Sequence, residues 1–563
     1  MVTSGVLSRA IAIVAAAAPL LVAAGALGVF RDTLLPGVAF WDTAESQTVP
    51  PLLGTMHPTG FPSYVIIGFL GNLALTPFGE PAFRMNLLSA VFVAGAAGLT
   101  VVLVRRLTGS VILGVAAGVG FAATPIAWDI STHADTHALH IGLVALLLVL
   151  LVEWAARRRD PATERRADRW LVAAAAVYGV AAANHSLSLL LAVPIGVYVL
   201  AVERGILGRP RFVAACALAV FGTFALLYLE LPLRAGVFRA PIVYGHPETL
   251  EGFLYVLLAE QFRGSLDLPL ADFAPKMRTL VGLTVDQLGP LAALLPFALA
   301  ATIVRAPHYA LLSGLAVLVT TAFSLSYTNA EIHRYYLGPA LIAWSWLAIL
   351  VAVVVGGVAR TIQIRVTDDV GEAASDQVAG EAGPAPAAAT ASAEPAHRDE
   401  LAEFEEPDPE FEEPDAGPDP FVGLAMTVVL ATLLILPTSM ELDGRALAVD
   451  RSGDTLATLW TDEALAVMEP NAVLVSWWSY STPLWYAQHI EGRRLDLRVV
   501  DDRTRLDEGL GEVNDVIEAN LGRTAVYVIR LEEDLPEVSA RFVLEPTTAF
   551  ELYRVVGRVE GPE

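Results

Sequence analysis

Shortly after its first long apolar run the sequence reads Trp41-Asp42-Thr43-Ala44-Glu45-Ser46. Asp42 and Glu45 are three residues apart, so on a helix they share a face. A carboxylate at a partly desolvated surface can act as a base toward a hydroxyl. The plainer role for the same pair is a helix cap with an acid in the first turn. His57-Pro58-Thr59-Gly60-Phe61-Pro62-Ser63-Tyr64 follows, a rigid turn built on two prolines and a glycine. His57 is a candidate contact for an anionic head group, with turn packing as its alternative, and Tyr64 closes the same segment. Further on, Ser131–His140 is dense in possible ligands. On a helix His133, His137 and His140 would form one stripe, which with Asp135 offers a divalent metal a site. No HExxH-type pattern accompanies them, and a polar wall open to water is the favoured reading. His185 sits at a helix junction, where an interface role is the simplest. Arg234 and Arg334 each lie at the edge of an apolar run, at the height of a lipid phosphate. Ordinary head-group anchoring is the alternative for both.

The elements that must position these residues are membrane helices. The chain has 563 residues, 55% hydrophobic and 17% charged, against about 25% charged in soluble domains. Apolar runs at about 10–30, 85–104, 111–128, 138–154, 170–184, 186–202, 212–230, 287–304, 308–325, 335–358 and 421–437 predict eleven spans. The piece from Phe61 to Phe78 is shorter and broken by Gly68, Gly71 and Pro77, so it reads as a helix lying in the interface. With Arg9 inside, Arg105, Arg106, the 157–169 cluster, Arg204, Arg209, Arg211, Arg305 and Arg360 all fall on one side, as the positive-inside rule requires. Making Phe61–Phe78 a span would invert that pattern. The acids and histidines above then fall on the opposite, extracytoplasmic side, and Arg334 runs against the charge bias.

Residues 1–360 form the predicted transmembrane region and 361–420 a cytoplasmic linker. From 366 to 420 the chain carries 17 acidic residues and one basic residue, so −16 of the net −24 is local. Rich in Ala, Pro, Glu and Asp, the linker is expected to be disordered. A last span at 421–437 leads to 438–563. There strand-length runs at 472–477, 497–500, 524–529 and 552–556 alternate with helical stretches at about 461–468, 482–490 and 507–520. This predicts a small extracytoplasmic α/β domain. Cys216 is the single cysteine, which excludes an intrachain disulfide framework and multi-cysteine metal sites. The acidic balance makes nucleic acid an unlikely partner.

Three ordered stretches carry a resemblance: Trp41–Glu45, His57–Pro62 and Pro77–Ala90. They resemble the multi-span family long listed as a domain of unknown function, whose animal member is similar to a protein O-mannosyltransferase, within the GT-C glycosyltransferase superfamily. Ala134–Leu139, Leu231–Arg234, Pro247–Phe253, Arg334–Tyr336, Asn471–Leu474 and Pro483–Tyr486 fall in place with it. Asp135 stands where that family more often has Glu, His137 where it has Tyr, and Ser476–Tyr480 where many members carry an acidic run.

The resemblance implies a GT-C-like membrane glycosyltransferase of about eleven spans. It would move a mannose-like sugar from a polyprenyl-phosphate donor to an acceptor hydroxyl, protein Ser/Thr or a glycan, by one inverting displacement at the plasma membrane's outer face. Asp42 would be the base and Glu45 would orient the sugar or share that role. Arg234 and Arg334, with His57, would meet the leaving phosphate. Tyr64, Asp135, His137 and His185 complete the expected substrate-binding set. No cofactor is required by this scheme, and a divalent metal is possible but not favoured. A transporter or flippase of lipid-linked sugars and a catalytically silent scaffold are the competing classes. A transporter usually places ionisable groups at mid-bilayer depth, whereas the helix centres here are almost bare of charge.

Overall fold

The computed structural model describes residues 2–265, 272–328, 331–380, 420–530 and 534–559. The first half comprises α1 (Val2–Asp32), α2 (Trp41–Leu52), α3 (Pro62–Ala74), α4 (Pro81–Thr108), α5 (Val111–Ala122), α6 (Pro125–Ser131), α7 (Thr136–Arg159), α8 (Glu164–Asn184), α9 (Ala192–Val202) and α10 (Pro210–Tyr228). Then come α11 (Glu230–Ala235), α12 (Leu250–Leu257), α13 (Phe273–Leu288), α14 (Leu295–Arg305), α15 (Pro307–Ser326), α16 (Leu337–Gly380) and α17 (Pro420–Met440). A 3-10 turn, Ser186–Leu191, runs into α9, and another, Ile332–Tyr336, runs into α16.

Among the described residues eight helices are long and apolar enough to cross a membrane, or nine if α5 and α6, bent by 66°, count as one span. The other two expected spans correspond to α8, a 21-residue helix, and to the shorter apolar stretch Ser186–Val202. The chain is thus a multi-pass membrane protein. The predicted interfacial piece is α3; its 13 residues extend only about 20 Å, too little to cross a hydrocarbon core of roughly 30 Å. Pro125 opens α6, and α5 ends before it, consistent with proline disfavouring helical geometry in the residue before it. The helix α16 runs on to Gly380, into the segment expected to be linker; residues 381–419 of that linker lie outside the described residues.

The arginine-rich loops gather at one end of the bundle. Arg106 pairs with Glu153 at 3.3 Å, Arg158 with Glu203 at 2.7 Å, and Arg305 donates to the Thr108 carbonyl at 3.0 Å. The helix α7 carries Arg157–Arg159 at that end and Asp135 as its cap at the other. Between the ends lies one large core built from α1, α4, α5, α7, α14, α15 and α16, with Trp154 and Trp344 fully buried.

After α17 come α18 (Leu442–Val449), α19 (Leu456–Val467), β1 (Val473–Val475), α20 (Trp478–His489), β2 (Arg498–Val500), α21 (Asp502–Asp507), α22 (Val513–Asn520), β3 (Val526–Ile529), α23 (Leu535–Ser539), β4 (Phe542–Pro546) and β5 (Leu552–Arg558). The sheet order is β2-β1-β3-β5-β4, parallel across the first three strands and antiparallel across the rest. The four predicted strands are present. The fifth, β4, is an edge strand with a charged and a proline residue in its last two positions, features that blunt an edge and also hide a strand from its sequence pattern. The helix α20 packs on α2, bringing this domain against the acid-bearing end of the bundle.

Candidate active site

The site begins with a buried amide network that ties the first loop to α4 and α7. The Gln47 side chain accepts from the Ala39 amide at 2.9 Å and donates to the Gly37 carbonyl at 2.9 Å and to Asn86 Oδ1 at 2.8 Å. Asn86 donates to the Leu35 carbonyl and accepts from the Ala134 amide, both at 2.9 Å. Both side chains are fully buried. Each unmet bond there would cost about 1–3 kcal/mol, so the network fixes the loop's place. Trp41 takes a left-handed φ of 60°, a conformation costing roughly 1–2 kcal/mol for a residue with a Cβ. Its indole packs edge-on against Trp477, with ring centroids 4.7 Å apart. That turn starts α2 and aims Asp42 into a cavity.

Asp42 and Glu45 lie together as their spacing predicts, and His57 joins them. Glu45 is almost wholly buried and gives both oxygens to His57: Oε1 accepts from its backbone amide at 2.8 Å, and Oε2 pairs with ring Nδ1. Burial alone pulls the imidazole down, but the Glu45 carboxylate and, further off, Asp42 outweigh it and push His57 up to about 9. His57 is therefore a fixed cation at neutral pH. Asp42 Oδ1 accepts from the indole N–H of Trp478 at 2.9 Å, so the C-terminal domain supplies a direct partner to the candidate base.

Across the cavity Asp135 caps α7. Its Oδ1 accepts from the His137 amide at 2.7 Å and meets His137 Nδ1 at 2.8 Å. Its Oδ2 lies 3.0 Å from Arg334 and 3.8 Å from His133 Nε2. Burial pushes this carboxyl up, but Arg334, His137 and His133 more than offset that and hold it well below the usual carboxylate range. Arg334 also pairs with Glu331 at 2.5 Å. Burial raises Glu331, with Asp135 and Asp42 adding to the rise against the pull of Arg334. His185 accepts from the Leu187 amide at 3.2 Å and stands 4.4 Å, ring to ring, from His137.

These groups line one bipartite cavity. An inner part of about 300 Å³ is bounded by Asp42, His57, Asp135, His137, His185, Arg263, Arg334 and Tyr335. An outer part of about 650 Å³ shares Asp42, His57, Phe262, Tyr327, Glu331 and Arg334 and adds Trp41, Tyr244, Arg451 and Trp478. Below the inner part a narrow apolar pocket of about 30 Å³ lies between α7, α9, α15 and α16, lined by Leu147, Leu151, Ile195, Leu312 and Ile342; Leu187 and Tyr335 border both.

Two expected residues lie elsewhere. Arg234 lines neither part: its Nε donates to the Leu53 carbonyl at 2.6 Å and a terminal nitrogen to the Leu52 carbonyl at 3.0 Å. It closes the negative end of α2, whose terminal carbonyls lack helical partners. Tyr64 is buried beneath α2 in a cluster with Val49, Met56, Met85 and Leu139, so it supports the wall from behind. The histidine stripe also does not form. Asp135 starts the helix at Thr136, leaving His133 before it, and His140 pairs with Ser188 at 3.1 Å. His133, His137 and His140 are therefore not a ligand set. Ligand atoms of Asp42, Glu45 and His57 do lie within 4.8 Å of one another, a donor set of two carboxylates and an imidazole. As arranged, both Glu45 oxygens meet His57, and a cation held by the three would take the place of that pairing.

Sequence reasoning left unassigned the network residues Gln47 and Asn86, and the cavity cations Arg263 and Arg451, the latter paired with Asp129 at 3.0 Å. Asn86 carried a signal, a polar residue inside an apolar run.

Residues 42–205 match the family model described as the protein O-mannosyl-transferase TMEM260 N-terminal domain. Over 265 residues the chain is 30% identical to protein O-mannosyl-transferase TMEM260 of Mus musculus, covering 46% of this chain and 36% of that protein. The chain thus spans about a third of the length of the curated relative it matches. Among solved structures it is similar to ArnT from Cupriavidus metallidurans bound to undecaprenyl phosphate, with a TM-score of 0.55 and 15% identity over 97% of this chain and 99% of that one. It is also similar to an Archaeoglobus fulgidus oligosaccharyltransferase tethered to an acceptor peptide, with a TM-score of 0.50 and 12% identity over 96% and 74%. At these identities the likeness establishes the fold, which is that of the GT-C glycosyltransferases. The family match contains Asp42, Glu45, His57, Asp135, His137 and His185 and ends before Arg334 and Trp478.

Proposed function

We propose that this chain is a membrane glycosyltransferase that moves a mannose-like sugar from a polyprenyl-phosphate donor to an acceptor hydroxyl, protein Ser/Thr in the first instance. The observation that carries this reading is the meeting of Asp42 and Arg334 in one cavity that adjoins, at Tyr335 and Leu187, a narrow apolar pocket between helices. In this reading the sugar occupies the cavity, the phosphate lies near Tyr335 and Leu187, and the lipid tail runs along the apolar helix faces below, which part to admit it. The ArnT to which the chain is similar carries undecaprenyl phosphate, and the oligosaccharyltransferase an acceptor peptide; both support this choice of substrate class. The family match over 42–205 supports mannose as the sugar.

In this scheme the acceptor oxygen attacks the anomeric carbon from the Asp42 side. As the bond to phosphate lengthens, the sugar gains oxocarbenium character and the attacking hydroxyl becomes acidic enough for a carboxylate to take its proton. Trp478 holds one oxygen of Asp42, leaving the other for that proton. Glu45 acts through His57, keeping it cationic, and does not share the base role. Arg334 and His57 balance the charge that grows on the leaving phosphate. A single displacement inverts the anomeric centre. The arginine-rich loops at the far end of the bundle support a cavity and an α/β domain that face the extracytoplasmic side, in this reading at the plasma membrane.

The test uses the purified full chain in nanodiscs with undecaprenyl-phosphoryl mannose and a Ser/Thr-rich peptide, read by mass spectrometry. A peptide heavier by one hexose, with inverted linkage, is the expected product. In proteoliposomes, flipping of the same donor without any transfer would overturn the reading in favour of a flippase.

A further inference from the structure

We propose that a crevice at the carboxyl ends of β1 and β3, in the α/β domain, is a saccharide subsite: it holds a hexose already carried by the acceptor while another hydroxyl of that acceptor is presented to Asp42. This rests on the transferase reading above and adds to it a class of acceptor, one that is already glycosylated.

The sheet marks the place. Strands β2, β1 and β3 are parallel, and their order reverses direction beside β1. In open parallel sheets ligands gather outside the carboxyl ends at such a reversal. There lies a crevice of about 530 Å³ that shares no lining residue with the bipartite cavity. Trp477 follows β1, Asp502 comes just after β2 and Arg530 follows β3, and all three line it. Trp477 also ties the crevice to the active site. Its indole meets that of Trp41, a wall of the outer cavity. The next residue, Trp478, lines the outer cavity itself and donates to Asp42. Crevice and cavity thus adjoin at the contact of Trp41 with Trp477, and an acceptor lying across that contact reaches both.

The lining carries charges of both signs, and that decides the ligand. Glu512 and Asp515 also border the crevice, but they are taken up by the capping box of α22. Three carboxylates remain, Asp502, Asp534 and Glu537, beside two guanidiniums, Arg530 and Arg541. The carboxylates repel an anion, and Arg530, only 6% exposed, repels a cation. A hydroxyl both donates and accepts, so a ligand rich in hydroxyls can meet every member of the set. Two members have bonding capacity left over. Arg530 donates to the Ser476 carbonyl at 3.4 Å and to Asp502 at 3.3 Å, both long beside the roughly 2.7–2.9 Å of a charge-assisted bond. Asn514 Oδ1 is buried at the crevice with no hydrogen-bond partner among the described residues, an unmet acceptor that a ligand hydroxyl would satisfy. Trp477 adds the apolar surface on which the C–H face of a sugar ring packs.

The test uses the full chain in nanodiscs and two synthetic peptides of one Ser/Thr-rich sequence, one bare and one bearing a single O-linked mannose. Binding is measured by calorimetry without donor, so it reads the crevice whether or not transfer follows. The glycopeptide is expected to bind about fivefold tighter, the equivalent of one net hydrogen bond. In transfer from undecaprenyl-phosphoryl mannose its KM should be lower by a similar factor at unchanged kcat. Asp534→Ala and Arg541→Ala, both exposed and outside the bipartite cavity, should each erase most of that preference. Both should leave the KM of the bare peptide and of the donor within about twofold of wild type. Equal wild-type affinity for the two peptides would overturn the proposal, as would a preference that survives both substitutions. Tighter binding of a bare peptide with added lysines, in place of the glycopeptide, would overturn it in favour of a basic-peptide groove. Tighter binding of the glycopeptide with no transfer to either peptide would uphold the saccharide site while overturning the transferase reading.

Discussion

Two carboxylate–histidine pairs face each other across the cavity, Glu45–His57 from the first loop and Asp135–His137 from the start of α7. In the first, both carboxylate oxygens serve the histidine, one on its amide and one on its ring. In the second, the carboxylate is divided between the histidine and Arg334. The first pair therefore stands as a closed unit whose histidine is pushed up to about 9, while in the second the acid also anchors Arg334 and His137 Nε2 faces the cavity with no hydrogen-bond partner among the described residues. The same two residue types close on each other in one place and hold an arginine at the cavity wall in the other, and the third partner makes the difference.

Removing that third partner tests the comparison most severely. Arg334→Met should leave Asp135 buried without its cation and destabilise the protein by about 3–5 kcal/mol, read as a fall in the midpoint of thermal or detergent-induced unfolding. A loss below 1 kcal/mol would show that Asp135 does not depend on the arginine.

Next in size is Glu45→Gln. The raised value of His57 stabilises the folded chain fully below its unfolded value near 6.5, and this contribution is lost as pH rises through about 9. A rise from 6.5 to about 9 corresponds to on the order of 3 kcal/mol. Wild-type stability should decline between those limits, and the Gln variant should lack that decline while being less stable at pH 6. An unchanged slope would place the titration elsewhere.

Trp478→Phe removes one hydrogen bond to a carboxylate, worth about 1.5–3 kcal/mol. About a tenfold drop in kcat is expected, with the donor's KM little changed. A changed KM with constant kcat would give Trp478 a binding role. Smallest is Arg234→Ala, which should cost about 1 kcal/mol of stability through the end of α2 and leave donor affinity within about twofold. A large loss of donor affinity would return Arg234 to the phosphate.

The comparison also marks what could be read beforehand. The shared face of Asp42 and Glu45, and the rigid turn that carries His57, were legible because helix geometry and a proline turn are local properties; the pairing of Glu45 with His57 was not. The arginine loops gave the bundle's two ends for the same reason. Asp135 was visible as a ligand but not as a helix cap; recognising the cap would have removed His133 from the stripe. Arg234 and Arg334 look alike in the sequence, each at the edge of an apolar run. What separates them is which carbonyls or carboxylates the fold brings within reach, across 181 positions to Leu53 for the one and from the start of α7 for the other. The bond from Trp478 to Asp42 bridges 436 positions, and only the docking of α20 on α2 creates it.

The most direct test of the account is to measure donor affinity and single-turnover transfer on the same nanodisc samples of wild type and Asp42→Asn. Loss of a general base typically costs about 10²–10⁴ in rate. The account predicts a fall of that size in the transfer rate with the dissociation constant for undecaprenyl-phosphoryl mannose within about threefold of wild type. Equal transfer rates in the two proteins would contradict it.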